Sequence, residues 1–111
     1  MDTIDQDRQT IERVLLEHTR VPYAHCEIQI EAVFDRERDR YLLVNVGWDR
    51  GARVHGALVH VDLIGGKFWI QRDGTEEGIA SELVSAGIPK DRIVLAFRRP
   101  QVRKHTEYAE A

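Results

Sequence analysis

Residues Arg53 to Arg72, RVHGALVHVDLIGGKFWIQR, limit the fold more than any other stretch of the chain. Two runs that alternate apolar and polar residues flank Gly65-Gly66. A type I′ turn needs positive φ at both central residues, which glycine adopts without strain, so the pair predicts a β-hairpin. With these two residues as the loop, Leu63 faces Phe68, Val61 faces Ile70 and Val59 faces Arg72. On the other face Ile64 meets Lys67, Asp62 meets Trp69 and His60 meets Gln71. The first face is nearly all apolar and predicts core. The second carries the groups on which function would rest.

The 111 residues are enough for one domain with its own core, spanning 1–111. A hydrophobic fraction of 42% with 32% charged residues describes a globular chain. The net charge of −3 provides no global field toward nucleic acid or anionic lipid. Cys26 is the only cysteine, so it has no internal disulfide partner and reads as a small, partly buried apolar residue. One cysteine and a polar, acidic start predict a reducing cytoplasm. No apolar run approaches the roughly 20 residues of a membrane span.

Around the hairpin, Thr3 and Gln6 have the spacing of a capping box, and Ile4, Ile11, Val14, Leu15 and His18 recur at helical spacing. Thr3 to about Thr19 is therefore predicted as an amphipathic helix, with Pro22 beyond it and His18 as a satisfied boundary residue. Glu27 to Phe34 alternates as a first strand, with Ile28, Ile30, Ala32 and Phe34 on one side. The charge run Asp35 to Arg40 predicts a solvated turn, because three acids balance three arginines. Tyr41 to Trp48 is a second strand, closed by a loop of Asp49 to Ala52. That loop sets Val46 opposite His55, Val44 opposite Ala57 and Leu42 opposite Val59. These residues then extend the core face, while Tyr41, Leu43, Asn45, Gly56 and Leu58 join the outer one. The third strand would be roughly 40 Å long, which predicts a bend or bulge near Gly56. Thr75, followed by Glu76 and Glu77, predicts the cap of a second helix with Ile79, Ala80, Leu83 and Val84 inside. Gly87, Ile88 and Pro89 stop it. Ile93 to Phe97 is a short fifth strand. The expected fold is α+β: an antiparallel β-meander with an N-terminal helix, a second helix after strand 4 and a short fifth strand.

No phosphate loop, dinucleotide fingerprint, zinc spacing or nucleophile elbow is present. His55 and His60 fall on opposite faces by strand parity, and His18, His25 and His105 are distant in sequence, so neither a metal nor a cofactor is expected. Asp49, Asp62, Asp73 and Glu76 supply the carboxylate oxygens a magnesium-dependent nuclease would use. Asp73 and Glu76 fit equally well as turn and helix-start residues. The outer sheet face is the stronger candidate: Tyr41, Leu43, Leu58, Ile64 and Trp69 with His60, Asp62 and Gln71 combine aromatic, apolar and polar groups as interface cores do. It would take a partner, a second copy, or a segment of the same chain. Arg98, Arg99, Arg103 and Lys104 form a basic patch for a nucleic-acid contact, a solvated tail or a salt-bridged dock.

The strings RERDRYLLVNVGWD, RVHGALVHVDLIGGKFWIQRDGTEEGIASELVSAGIPKDRIVLAF and VRKHTEYA closely resemble the XisI-like family, the fdxN element excision controlling factors of cyanobacteria. The resemblance runs from the first helix to the tail, and WIQRDGTEEGIA is its most specific part. His105 stands where the family usually has a tyrosine or similar residue. The resemblance implies a small α+β protein and carries over no catalytic residues. Such a protein would help control excision of a DNA element during heterocyst differentiation, with an XisH-like partner and a separate recombinase. DNA would then be reached only through partners. The same resemblance allows one member of a toxin–antitoxin-like pair. A nuclease-like or DNA-contacting factor is the alternative in another class.

Overall fold

The computed structural model describes residues 3–20 and 27–111; Pro22, His25 and Cys26 lie outside them. The chain runs as α1 (Thr3–Thr19), β1 (Glu27–Asp35), β2 (Arg40–Asp49), β3 (Ala52–Ile64), β4 (Lys67–Asp73), α2 (Ile79–Ser85), β5 (Ile93–Leu95) and the single turn α3 (Pro100–Arg103). One sheet holds the five strands in the order β1-β2-β3-β4-β5. The first four form the antiparallel meander read from the sequence, and β5 returns parallel to β4. The fold class is α+β, with α1 and α2 on one face of the sheet.

The central turn and the end of α2 form as the sequence predicts. Gly65 and Gly66 have φ of 58° and 77°, and around them Leu63 pairs with Phe68 and Val61 with Ile70. At the end of α2, Gly87 takes the left-handed conformation with φ 100°. Its N–H donates to the Val84 carbonyl, and the Ile88 N–H donates to Leu83 O, both at 3.0 Å, which is the Schellman arrangement. Ile11, Val14 and Leu15 of α1 pack with Ile79, Ala80 and Leu83 of α2 and with Val59, Val61, Leu63, Phe68 and Ile70 of the central hairpin.

Two β-bulges change the faces elsewhere. Leu58 is an extra residue in β3, between Val44↔Ala57 and Leu43↔Val59. Gln71 is an extra residue in β4, between Val61↔Ile70 and His60↔Arg72. The first lies two residues beyond Gly56, where the length of the strand predicts a bend. Because side chains alternate with period two, one extra residue reverses which half of the neighbouring strand faces the core. Leu42 therefore pairs with His60, not with Val59, and Val59 meets Asp73, not Arg72. Tyr41 and Leu43, expected outside, are fully buried under α1. Leu42, Val44 and Val46, expected inside, lie on the outer face.

The Gln71 bulge has a second effect. It turns Asp73 to the helix side of the sheet, where its carboxylate accepts from the Thr75 N–H (3.0 Å), the Thr75 hydroxyl (2.6 Å) and the Ile79 N–H (2.6 Å). Gly78, not Thr75, takes the N-cap position of α2, which starts at Ile79, after Glu76 and Glu77, and Asp73 caps it from outside the helix by accepting from its first N–H.

The charge run between β1 and β2 is not simply solvated. Arg36 makes two hydrogen bonds to Glu12 of α1, at 2.7 and 2.8 Å. Asp39 accepts two from Arg8, at 2.8 and 3.2 Å, and one from the Tyr41 hydroxyl at 3.0 Å. Hydrogen bonding to Arg8 holds the Asp39 carboxyl below the usual carboxylate range. Burial, together with the bond to Asp39, pushes the Tyr41 phenol well above its usual value. The signs are opposite. A depressed carboxyl contributes stability above its unfolded pKa near 3.9 that is lost as pH falls through the folded value. A raised phenol contributes stability that is complete below about pH 10 and is lost as pH rises through the folded value. Tyr41→Phe should therefore flatten the alkaline limb of a stability–pH curve, and Asp39→Asn the acid limb. Denaturant titrations across pH check both; an unchanged alkaline limb in Tyr41→Phe would refute the first.

Candidate functional site

The outer face of the sheet has a covered part and an open part. Over β4 and β5 the C-terminal segment forms a second layer. Val94 is fully buried and bridges to Ala109, whose N–H donates to Ile93 O at 2.9 Å. Arg103 lies 5.6 Å from the centre of the Trp69 ring. Its guanidinium also donates to the carbonyls of Leu95 (3.3 Å), Ala96 (3.2 Å), Arg98 (2.9 Å) and Glu110 (3.4 Å). Arg103 thus leaves the basic patch: it is half-buried and binds the tail to the sheet. Arg98, Arg99 and Lys104 remain exposed, with Arg98 stacked 5.2 Å from the centre of Phe97.

Next to Trp69, Asp62 sits on the same outer face and is only 6% exposed. A carboxylate so shielded needs charged or hydrogen-bonding partners, and it has three. His60 Nε2 is 2.7 Å from Oδ1, Arg40 Nε is 3.4 Å from the same oxygen, and Gln71 Nε2 donates to Oδ2 at 3.3 Å. His60, Asp62, Trp69 and Gln71 are thus brought together, although His60 pairs with Arg72 and not, as the simple hairpin register predicts, with the bulged Gln71. Leu58, the bulged residue, is half-buried and packs against the core. The bulge also sets His55, paired with Val46, on the same face as His60, contrary to strand parity. Among the described residues no group of three or more His, Cys, Asp or Glu side chains is placed to hold a metal.

The four acids weighed for a nuclease are not brought together. Asp62 is on the outer face, Asp73 caps α2 on the opposite side, and Asp49 lies at the β2–β3 turn, at the far end of the strands from Asp62. Glu76 is exposed in the loop before α2.

Over β1, β2 and β3 no described segment covers the outer face. Tyr41 and Leu43 are withdrawn from it, and the residues that replace them were assigned to the core by simple alternation. Leu42, Val44 and Val46 form a half-buried column along β2, ending in Trp48, which is 49% exposed, with Val33 of β1 beside it at 50%. Arg53 lies over the Trp48 ring at 5.3 Å. The sequence predicts a bend or bulge near Gly56, but not that Leu58 is the extra residue that decides the phase of β2.

A family model described as XisI protein matches residues 1–110. Two solved structures from Anabaena variabilis are similar over nearly the whole chain. One is a XisI-like protein, 29% identical, with a TM-score of 0.88 and coverage of 97% of this chain and 99% of the other. The second is an fdxN element excision controlling factor XisI, 32% identical, with a TM-score of 0.81 and coverage of 99% and 100%. No curated protein matches the sequence.

Proposed function

Because the chain belongs to the XisI family, we propose that it is a regulatory protein that controls excision of a DNA element through contacts with other proteins. The observation that carries this reading is the 32% identity to an excision controlling factor over 99% of the chain. The geometry supports a non-catalytic role in one respect. Asp62 and Asp73, which a nuclease would need at one metal, lie on opposite faces and are each held by protein groups. An XisH-like protein is the proposed partner, with strand exchange left to a recombinase. Among the described residues no helix is long and apolar enough to cross a membrane.

Strong duplex binding requires several phosphate contacts, each adding to the salt dependence. Here the exposed cations of the tail are Arg98, Arg99 and Lys104. The purified protein is therefore expected neither to shift duplex DNA at physiological salt nor to cleave it with magnesium, and to co-purify with an XisH-like protein expressed beside it. Magnesium-dependent cleavage lost in Asp62→Asn or Asp73→Asn would overturn this reading in favour of a nuclease. Failure to co-purify would remove the partner.

A further inference from the structure

The open outer face carries a charge pattern that selects its occupant. Strand pairing aligns five rows across β1, β2 and β3: Glu27–Trp48–Arg53, Gln29–Val46–His55, Glu31–Val44–Ala57, Val33–Leu42–His60 and Asp35–Arg40–Asp62. Read down the strands, β2 gives an apolar column from Leu42 to Trp48. On its β1 side stand Glu27 and Glu31, both exposed and without an ion-pair partner among the described residues. On its β3 side stand Arg53 and His55, also exposed. One flank thus carries unpartnered acids and the other an arginine and a histidine, with a greasy strip between.

We propose that this face binds a second copy of the chain, face to face, about a two-fold axis running along β2. A two-fold interface brings one patch against itself, so residue i of one copy meets j of the other and j meets i. Rotation about an axis parallel to β2 keeps each row at its level and exchanges the flanks. Glu27 then meets Arg53 of the second copy, twice by symmetry, Gln29 meets His55 of the second copy, and the apolar column packs on its own image. Sheets packed in this way keep their strands within about 30° of each other, an angle long Glu and Arg side chains can span. In the bottom row Asp35 approaches Asp62 of the second copy. Each already has an arginine of its own chain, Arg38 for Asp35 and Arg40 for Asp62, at 3.2 and 3.4 Å. Edge-to-edge pairing of the two β1 strands has no such complement: centred on Glu31 it stacks Glu31 on Glu31 and Glu27 on Asp35.

The face is modest. The nine residues of β1 span about 30 Å, and three strands about 14 Å. That is roughly 400 Å² of plane per copy, below the roughly 800 Å² of surface per partner typical of stable complexes. The dimer is therefore weak and depends on concentration.

Sedimentation equilibrium of the full chain tests it, over a series that reaches high micromolar concentration. Wild type is expected to pass from monomer to dimer. Glu27→Arg and Arg53→Glu should each weaken association about tenfold or more, because each sets like charges opposite one another twice. The double variant, Glu27→Arg with Arg53→Glu, should regain it. Val44→Lys, which breaks the apolar column without touching the flanks, should be monomeric. Circular dichroism confirms that each variant is folded. A wild type that stays monomeric throughout overturns the proposal, as would be expected of a face reserved for a different protein. So does a dimer indifferent to Val44→Lys, or a double variant no tighter than either single one.

Discussion

Val61→Asp is expected to abolish folding. Val61 is fully buried in the middle of the sheet, paired with Tyr41 on one side and Ile70 on the other, with the helices above. A carboxylate there sits among apolar side chains, and the arginines on that side of the sheet, Arg8 and Arg92, are already paired with Asp39 and Asp7; an unpaired buried charge costs several kcal/mol. Against a total stability of about 5–15 kcal/mol, that is enough to leave little native protein. Val33→Asp, on a side chain 50% exposed, should change stability by no more than about 0.5 kcal/mol. Far-ultraviolet circular dichroism and thermal melts separate the two. A soluble Val61→Asp protein with a cooperative melt near the wild-type temperature would show that the faces of the hairpin are reversed.

Arg92→Ala should be the most damaging substitution among the half-exposed side chains. Asp7 lies on the buried stripe of α1 and is 3% exposed; its carboxylate is paired with the Arg92 guanidinium. The same guanidinium donates to Gly66 O at 2.9 Å and stacks 5.7 Å from the centre of Phe68. One side chain thus fastens α1, the Gly65-Gly66 turn and the 3₁₀ turn Lys90–Arg92 that leads into β5. Truncation leaves Asp7 buried without a partner, a change worth about 3–5 kcal/mol, toward the lower end here because Arg92 is 27% exposed. Asp7→Asn added to Arg92→Ala removes the stranded charge and should recover part of the loss. The double-mutant cycle measures the coupling. A loss under about 1 kcal/mol in Arg92→Ala, or no recovery in the double variant, would show that the pair does not carry this weight.

The parts of this fold legible in the sequence are those fixed by near neighbours. Gly65-Gly66 set the hairpin, the stripe Ile11, Val14, Leu15 set α1, and Gly87 with Ile88 set the end of α2. Each depends on residues within one turn or a few positions. What was not legible depends on the third dimension. The length of β3 predicts a bend or bulge near Gly56, but nothing marks Leu58 as the extra residue. The bulge is chosen because it lets Tyr41 and Leu43 reach the core and places the Tyr41 hydroxyl on Asp39. Gln71 is similar, since its bulge brings Asp73 to the start of α2. These two shifts decide which of the expected outer residues stay on that face: His60, Asp62 and Trp69 lie between the turn and the bulges, whereas Tyr41 and Leu43 lie across the Leu58 shift and turn inward. Arg103 leaves the basic patch for a related reason: its side chain faces carbonyls that only the folded tail brings together.

The two margins of the sheet are unlike, and this bears on how the protein can aggregate. The margin at β5 is occupied by the chain's own Ala109, whereas no described strand lies beyond β1. A fibril that grows by adding strands needs a free margin on both sides of every unit, one to receive and one to offer. Among the described residues this molecule has one. Strand exchange between native copies can therefore join two β1 margins and then has nowhere to continue, so polymerisation through the sheet requires the C-terminal segment to be released first.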